Sequence, residues 1–252
     1  MKLSRRGFIG GLAAAAGMRS LCRPSSATAA TSQARIPIRE FRYSDVKLTG
    51  GPLKDQFERI HAAYLALDND RLLKVYRQRA GLPAPGEDMG GWYDADGFVP
   101  GGTFGQYVSG LSRFANATGD AATYTKVREL VEGYAATLGP RNYPYASTKA
   151  STTWPCYILD KLEIGLLDAR QFGGVRSAPA LLARVIHGAS PYLPGRVYDR
   201  GPESPKQAPY DEPYILLENL FKSYEVTVRR NSGRWRANTS STRSILTRWR
   251  EA

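Results

Sequence analysis

Cysteine is nearly absent from this chain: Cys22 and Cys156 are the two cysteines among 252 residues. Two cysteines cannot form the framework of bridges on which small secreted domains depend, and they do not make a structural zinc site by themselves. The apolar run near the N-terminus, residues 10–18, is too short to span a membrane as a stable helix. With 42% hydrophobic and 23% charged residues, the composition also excludes collagen-like, coiled-coil and wholly disordered chains.

Acidic residues are scarce at both ends of the chain. Residues 1–35 contain six basic side chains and no acidic one, and residues 228–252 contain seven arginines and one glutamate. Each end therefore has a net charge of +6, and together they account for the +12 of the whole chain. Residues 36–227 hold 22 basic and 22 acidic side chains. Because this body is neutral, nothing in it steers the protein toward phosphate, and we predict no nucleic-acid partner.

The N-terminal end has the order of an export signal. Arg5 and Arg6 precede the apolar residues 10–18, and the small residues 27–30 resemble an A-x-A cleavage site. Paired arginines at this place resemble the twin-arginine signal of proteins that are exported already folded. We therefore predict a twin-arginine signal peptide over residues 1–30, the Tat translocase as a partner during export, no stable membrane anchor, and a mature protein that is periplasmic or extracellular.

The neutral body has the periodicity of a helical protein. Apolar residues recur at helical spacing and predict two helices within residues 57–76, separated by Asp68-Asn69-Asp70, followed by helices at 104–117, 120–138, 155–172, 178–186 and 214–226. Residues 36–48 alternate as a β-strand does. Helix pairs joined by long loops of glycine, proline and aromatic residues indicate an all-α toroid, in which the helices form the core and the loops form the site.

Four stretches in fixed order carry a family resemblance. They are Gly51–Phe57 and Ala63–Leu73 with Ala80–Pro83 and Gly90-Gly91-Trp92, Gly105–Leu111 with Ala117–Asp120, Asp160-Lys161 with Gly165–Ala169, and Asp211–Tyr214 with Glu218–Leu220 and Tyr224–Thr227. Together they resemble the N-terminal half of the β-L-arabinofuranosidase-type glycoside hydrolases, glycoside hydrolase family 127 and its relatives, over roughly 46–227. The resemblance implies an (α/α)6 barrel followed by β-sandwich domains. We thus expect residues 31–227 to form an incomplete (α/α)6 toroid of helical hairpins with a short N-terminal strand segment.

The resemblance also suggests substrate-binding residues. A sugar pocket needs aromatic rings to stack on apolar ring faces and carboxylates or amides to hold hydroxyl groups. In the family, the histidines of a G-H-x-x-G-H-Y stretch contact the sugar, and here Gly102 and Gln106 stand at those positions. Gln106 donates and accepts hydrogen bonds but cannot titrate. Asp160, which is a histidine in many relatives, is a second departure, so the substrate is expected to differ from the arabinofuranosides of the best-known members.

Each residue proposed to bind a carbohydrate substrate has an alternative, purely structural role. Trp92 either stacks on sugar or plugs the barrel end, and Gln106 either lines the pocket or makes a hydrogen bond at a helix start. Asp160 either binds sugar or pairs with Lys161 or with a neighbouring helix. The adjacent acids Asp211 and Glu212 either reach the pocket or cap the following helix.

The catalytic group of the family is not found in this chain. By resemblance it is a zinc-bound cluster of cysteines with a glutamate, in which a cysteine is the nucleophile, and it lies later in the family's chain. No C-x-x-C motif or paired cysteine follows Cys156. We therefore identify no catalytic residue, no metal ligand and no cofactor here, although zinc is expected in the full-length family.

The composition changes abruptly at Val228. From there on the sequence is rich in arginine, tryptophan and serine, a composition typical of a shifted reading frame in a GC-rich gene. We therefore interpret residues 228–252 as out of frame and disordered. The rival interpretation is a genuine basic tail for nucleic acid or anionic lipid. The sequence thus predicts an exported, truncated and inactive fragment of a glycoside hydrolase acting on arabinofuranoside-type or related glycans. Two alternatives stay open: a non-catalytic carbohydrate-binding protein, or another (α/α)-barrel enzyme, for unsaturated-uronide hydrolysis or polysaccharide lysis, that uses Asp160 or Asp211 directly.

Overall fold

The computed structural model describes residues 41–148, 154–193 and 212–227, and within these ranges the fold is all-helical, with no β-strand. The described α-helices are α1 (Pro52–Ala66), α2 (Asn69–Ala80), α3 (Phe104–Thr118), α4 (Ala121–Thr137), α5 (Pro155–Gln171), α6 (Ala178–Ala189) and α7 (Leu216–Thr227). Short 3-10 turns lie at Tyr43–Asp45, Gly91–Tyr93, Ser190–Tyr192 and Pro213–Ile215. The predicted signal peptide, the tail 228–252 and Asp211 lie outside the described residues.

Local capping explains where α2 and α4 begin and where α2 ends. Asp68 caps α2 by accepting a hydrogen bond from the Asp70 amide at 2.8 Å, and Asp120 caps α4 by accepting one from the Thr123 amide at 2.8 Å. Gly81 ends α2 in the left-handed region, with φ of 69°, which costs a glycine little because it has no Cβ. These caps place the helix boundaries within a few residues of the positions that the sequence predicts.

The helices form two layers. α3 packs against α1 on one side and α5 on the other, and α5 packs in turn against α7, so that the odd-numbered helices make one row. α2 packs against α4 in the second row, and the hairpins α3–α4 and α5–α6 join the two rows. A row of helices backed by the returning helices of its hairpins is the arrangement of an all-α toroid. The predicted fold class is therefore confirmed.

Two helices of the described part of the chain come into backbone contact at Gly105 of α3. A Cβ built on Gly105 would lie 1.7 Å from the carbonyl oxygen of Lys161 in α5, and one on Gly165 would lie 2.6 Å from the carbonyl oxygen of Gly105. The two helix backbones thus touch with no side chain between them. This contact fixes the first turn of α3 against the middle of α5.

The N-terminal strand is the part of the fold prediction that is wrong. Where residues 41–48 are described, they contain a 3-10 turn at Tyr43–Asp45 and no strand. One of the alternating side chains packs on the helical part of the fold: the Tyr43 ring lies 5.0 Å from Phe172 and 5.5 Å from the Arg113 guanidinium, whereas Phe41 and Val46 are exposed. The Ser44 amide donates to the Asn116 side chain at 3.1 Å. An alternating pattern without a partner strand does not specify a sheet.

Candidate functional site

One cavity lies where the segments that precede α3, α5 and α7 meet. Its volume is about 210 Å3, and we call it the aromatic cleft. The residues that line it come from the loop before α3, the first turn of α5 and the segment before α7: Trp92, Tyr93, Phe98, Val99, Gly102, Thr103, Trp154, Tyr157 and Glu212. The cleft thus unites Trp92 and Glu212, two candidates that are 120 positions apart in the sequence.

The wall of the cleft is a chain of aromatic contacts. The Trp92 and Phe98 ring centroids lie 5.4 Å apart, and Phe98 meets Trp154 edge to face at 5.0 Å. The Trp154 indole nitrogen donates a hydrogen bond to the Phe98 carbonyl at 3.1 Å, which ties the loop before α3 to the start of α5. Trp92 is 71% exposed and Phe98 52% exposed. Both rings are therefore fixed at one edge while much of their surface faces solvent.

The loop that carries Trp92 is held by its own hydrogen bonds. The Val99 amide donates to the Trp92 carbonyl at 3.0 Å, and the Gly101 amide donates to the Tyr93 carbonyl at 2.9 Å. The Tyr93 hydroxyl donates to the Leu72 carbonyl of α2 at 2.5 Å, and burial raises the pKa of Tyr93 well above its ordinary value of 10.0. The backbone around Trp92 is thus ordered before any ligand binds, which lowers the entropic cost of binding.

Glu212 supplies the negative charge of the cleft. It is half-buried, and no hydrogen bond or ion pair engages its carboxylate among the described residues. Its backbone adopts a φ of 47°, in the left-handed region that costs a residue other than glycine about 1–2 kcal/mol. The Glu212 carbonyl accepts from the Ile215 amide at 3.1 Å, so the backbone rather than the side chain begins the turn before α7. The neighbouring candidate Asp211 lies outside the described residues.

Gln106 is placed apart from the cleft. It is exposed on the first turn of α3 and is not among the residues that line the cavity. Gly102, the other position where the family resemblance expects a histidine, does line it. A Cβ on Gly102 would lie 2.4 Å from Cγ1 of Val99, so a larger side chain would fit there only if Val99 moved. The shape of the cleft therefore depends on a glycine at position 102.

Asp160 is buried behind the cleft. Its Oδ1 accepts a hydrogen bond from the Asn219 amide of α7 at 2.7 Å, and its Oδ2 forms an ion pair with Lys161 at 2.9 Å. The Lys161 ammonium also lies 4.8 Å from the centre of the Tyr157 ring, which lines the cleft. Both carboxylate oxygens of Asp160 are thus occupied by protein groups, and Asp160 links α5 to α7.

Glu163 lies one turn beyond Asp160 in the same interface between α5 and α7. It is completely buried; its Oε1 accepts from the Ser223 hydroxyl at 3.0 Å, and its Oε2 has no hydrogen-bond partner among the described residues. Burial raises the pKa of Glu163 well above its ordinary value of 4.5, the nearby Asp160 carboxylate raises it further, and the Ser223 hydrogen bond lowers it.

The raised pKa predicts how Glu163 affects stability. Because the unfolded chain releases this proton near pH 4.5 and the folded chain at higher pH, the contribution of Glu163 is lost as pH rises through its folded-state pKa. We expect Glu163→Gln to raise the free energy of unfolding at neutral pH and to flatten its pH dependence above pH 4.5, measured by urea unfolding at several pH values. The exposed Glu132→Gln is the control and should leave the profile unchanged. If the free energy of unfolding of Glu163→Gln depended on pH as steeply as that of the parent, Glu163 would not be a protonated carboxyl in the folded protein.

The wider depressions elsewhere on the molecule are less suited to a ligand. Two of them, with volumes of about 510 and 680 Å3, adjoin residues 41–48. In the first, the Asp168 carboxylate already accepts from Arg113 at 2.7 Å and from Ser109 at 2.6 Å. The aromatic cleft, which combines exposed rings with an unpaired carboxylate, is therefore the stronger candidate site.

The residues that the structure describes do not fit the cysteine–zinc centre that the family resemblance implies. Cys156 is completely buried in the hydrophobic core at the start of α5. Within the described ranges, no three histidine, cysteine, aspartate or glutamate side chains are grouped closely enough to hold a metal ion. A structural zinc ion needs four such ligands and a catalytic one needs three.

Comparison with known proteins places the cleft in a family context. The family model described as beta-L-arabinofuranosidase, GH127 catalytic domain, matches residues 45–231. No curated protein matches the chain. No helix in the described parts of the chain combines the length and apolarity that crossing a membrane requires. The matched residues include every residue that lines the aromatic cleft.

Proposed function

The chain belongs to the beta-L-arabinofuranosidase GH127 catalytic-domain family, and on that premise we propose that its aromatic cleft binds one sugar unit of a glycan. As a glycoside hydrolase-like protein it has carbohydrate as its substrate class. Trp92 stacks on the apolar face of the sugar, and the Glu212 carboxylate accepts hydrogen bonds from its hydroxyl groups. The observation that carries this proposal is the juxtaposition of Trp92 and Glu212 in one cavity.

The chemistry of the cleft supports this assignment. A sugar ring has one or two faces of C–H groups and a rim of hydroxyl groups, so its recognition combines aromatic stacking with a few polar contacts. The exposed rings of Trp92 and Phe98 supply the stacking surface, and the free carboxylate of Glu212 supplies a polar contact. We propose arabinofuranoside-type or related glycans as the ligands, on the strength of the family.

We further propose that this chain binds its glycan without hydrolysing it. A glycosidase of the two-carboxylate type needs two acidic groups that face the scissile bond. Asp160 does not meet this need, because Asn219 and Lys161 occupy both of its oxygens and its side chain is buried. Uronide hydrolysis or polysaccharide lysis through Asp160 is disfavoured for the same reason, whereas the route through Asp211 falls outside the described residues.

Export and truncation are proposals from the sequence. We propose that residues 1–30 direct the chain through the Tat translocase, and that residues 228–252 result from a shifted reading frame. Fusion of residues 1–30 to a reporter, with Arg5 and Arg6 both replaced by lysine as the control, tests the export. The nucleotide sequence across codons 224–236 tests the frame: an added or missing base supports truncation, and a confirmed frame contradicts it.

Removal of the Trp92 ring tests the binding proposal. We expect Trp92→Ala to raise the Kd of a bound arabinose-containing oligosaccharide about tenfold, because the stacking surface is lost. Isothermal titration calorimetry of the full chain with a panel of such oligosaccharides measures the effect. Trp92 is 71% exposed, so the thermal midpoint should change little.

Phe41 offers the matched control. It is 85% exposed and does not line the aromatic cleft, so Phe41→Ala removes an exposed ring elsewhere and should leave the Kd unchanged. Equal affinities of Trp92→Ala and the parent, or no binding of any oligosaccharide by the folded parent, would contradict the proposal.

A further inference from the structure

The charge of the aromatic cleft indicates which charge its ligand carries, which the stacking surface does not. Of the described residues that line the cavity, Glu212 is the one with a charged side chain. No described residue neutralises its carboxylate, whereas the nearby Asp160 is matched by Lys161 at 2.9 Å. A half-buried carboxylate without a partner favours a ligand that brings a cation to it.

The aromatic rings act in the same direction. The face of an aromatic ring carries negative potential, and it attracts a cation that lies within about 6 Å of the ring centre. Inside this protein, the Lys161 ammonium already lies 4.8 Å from the centre of the Tyr157 ring. Trp92 and Phe98 present further ring surface to solvent beside Glu212. The cleft therefore combines aromatic faces with a carboxylate, the combination that recognises ammonium groups.

The positive N-terminal ends of two helices near the cleft weaken its preference for a cationic ligand but do not cancel it. The N-terminal ends of α3 and α5 adjoin the cavity, and Thr103 and Trp154 at these ends make no side-chain cap. Each helix end carries about half a positive charge, which acts within the first turn and is screened by salt. Glu212 brings a full negative charge into the cavity itself, so the local field at its carboxylate favours a cation.

On the basis of the proposed function, we infer that the cleft selects a glycan whose bound sugar carries a protonated amino group. The ring of such an amino sugar stacks on Trp92, and its ammonium group pairs with the Glu212 carboxylate. A neutral sugar gains the stacking without the ion pair, and a uronate meets the carboxylate with a like charge. The predicted order of affinity is therefore amino sugar, neutral sugar, uronate.

Three matched ligands test this order on the full chain. They are a glucosamine trisaccharide, its N-acetylated neutral counterpart and a uronate trisaccharide, titrated calorimetrically at mildly acidic pH, where the amine is protonated. We expect the glucosamine trisaccharide to bind about tenfold more tightly than the neutral one, since hydrogen bonds to charged groups have this magnitude. The difference should shrink at high salt.

Two variants separate this inference from the proposed function. Glu212→Gln keeps the size of the side chain and removes its charge, so within this variant the glucosamine trisaccharide and its neutral counterpart should bind with Kd values within about twofold of each other. Trp92→Ala should weaken the binding of all three ligands by the same factor. Binding that needs Trp92 but shows no preference for the amino sugar, or a preference that survives in Glu212→Gln, overturns the inference and leaves the proposed function standing. Absence of Trp92-dependent binding by any sugar overturns both.

Discussion

Replacing Gly105 by alanine is expected to lower the free energy of unfolding by about 3 kcal/mol, which corresponds to a fall in Tm of roughly 10 °C. The added Cβ would lie 1.7 Å from the Lys161 carbonyl oxygen, and that oxygen belongs to the backbone of α5. No side-chain rotation relieves this clash, so α3 and α5 must move apart along their whole contact. The gain in helix propensity on replacing glycine by alanine is about 1 kcal/mol and does not offset the loss.

Gly110, in the same helix, provides the control. A Cβ there would lie 2.8 Å from Cε1 of Tyr64, a half-buried side chain packed on Tyr107 and Phe114, which can shift more readily than a helix backbone can. Gly110→Ala therefore combines the same chemical change with a neighbour that can yield, and its stability should stay within about 1 kcal/mol of the parent. Urea unfolding of both variants measures the difference. Equal stabilities of Gly105→Ala and Gly110→Ala would show that α3 and α5 are not packed backbone to backbone.

The loss of Arg79 is the second large effect that we expect. Its guanidinium donates to the carbonyls of Tyr145 at 2.9 Å, Thr137 at 2.8 Å and Tyr143 at 3.2 Å, and it lies 5.3 Å from the centre of the Tyr143 ring. Burial lowers the pKa of Arg79 below its ordinary value. Arg79→Ala would remove these three charge-assisted hydrogen bonds, at a cost of about 3 kcal/mol, and would release the segment after α4.

Arg77, two residues earlier in α2, is the matched control for Arg79. It pairs with Asp70 at 2.5 Å, and the Asp70 side chain is 42% exposed. The Arg77 side chain is 22% exposed, so solvent screens the pair in part, and Arg77→Ala, which removes one ion pair and no hydrogen bonds to the segment after α4, should cost about 1 kcal/mol. Thermal unfolding of both variants, followed by circular dichroism, makes the comparison. A mild effect of Arg79→Ala would mean that the segment 138–148 is held by other contacts.

The helical part of the fold was predictable because its boundaries are chemically marked. Asp68 and Asp120 are caps that accept backbone amides, and Gly81 is a stop that adopts positive φ at little cost. Such signals act within four residues and are readable in the sequence. The strand predicted over residues 36–48 is not formed in the described residues 41–48. A strand needs a partner strand, and the local sequence does not show whether one is present. Tyr43, one of the alternating residues, instead contacts Phe172.

The candidate site was predictable only in part. Trp92 and Glu212 came from the resemblance to the family, and the structure brings them into one cavity. Phe98, Trp154 and Tyr157, which complete the cleft, were not singled out as binding residues, because their convergence depends on how the starts of three helices meet. Trp154, an aromatic residue immediately before Pro155 at a helix start, was the local signal that was available. Gln106 matches a family position and still lies outside the cleft.

The most direct test of the central claim is an NMR titration of the 15N-labelled full chain with the oligosaccharide that binds best. The indole N–H signals of Trp92 and Trp154 report on the two sides of the cleft wall, since Trp92 faces solvent and Trp154 donates to the Phe98 carbonyl. We predict that both signals shift and saturate together with the calorimetric Kd, and that the Trp92 signal is absent from the Trp92→Ala spectrum. Saturable binding that leaves both indole signals in place would contradict the claim that the aromatic cleft is the glycan site.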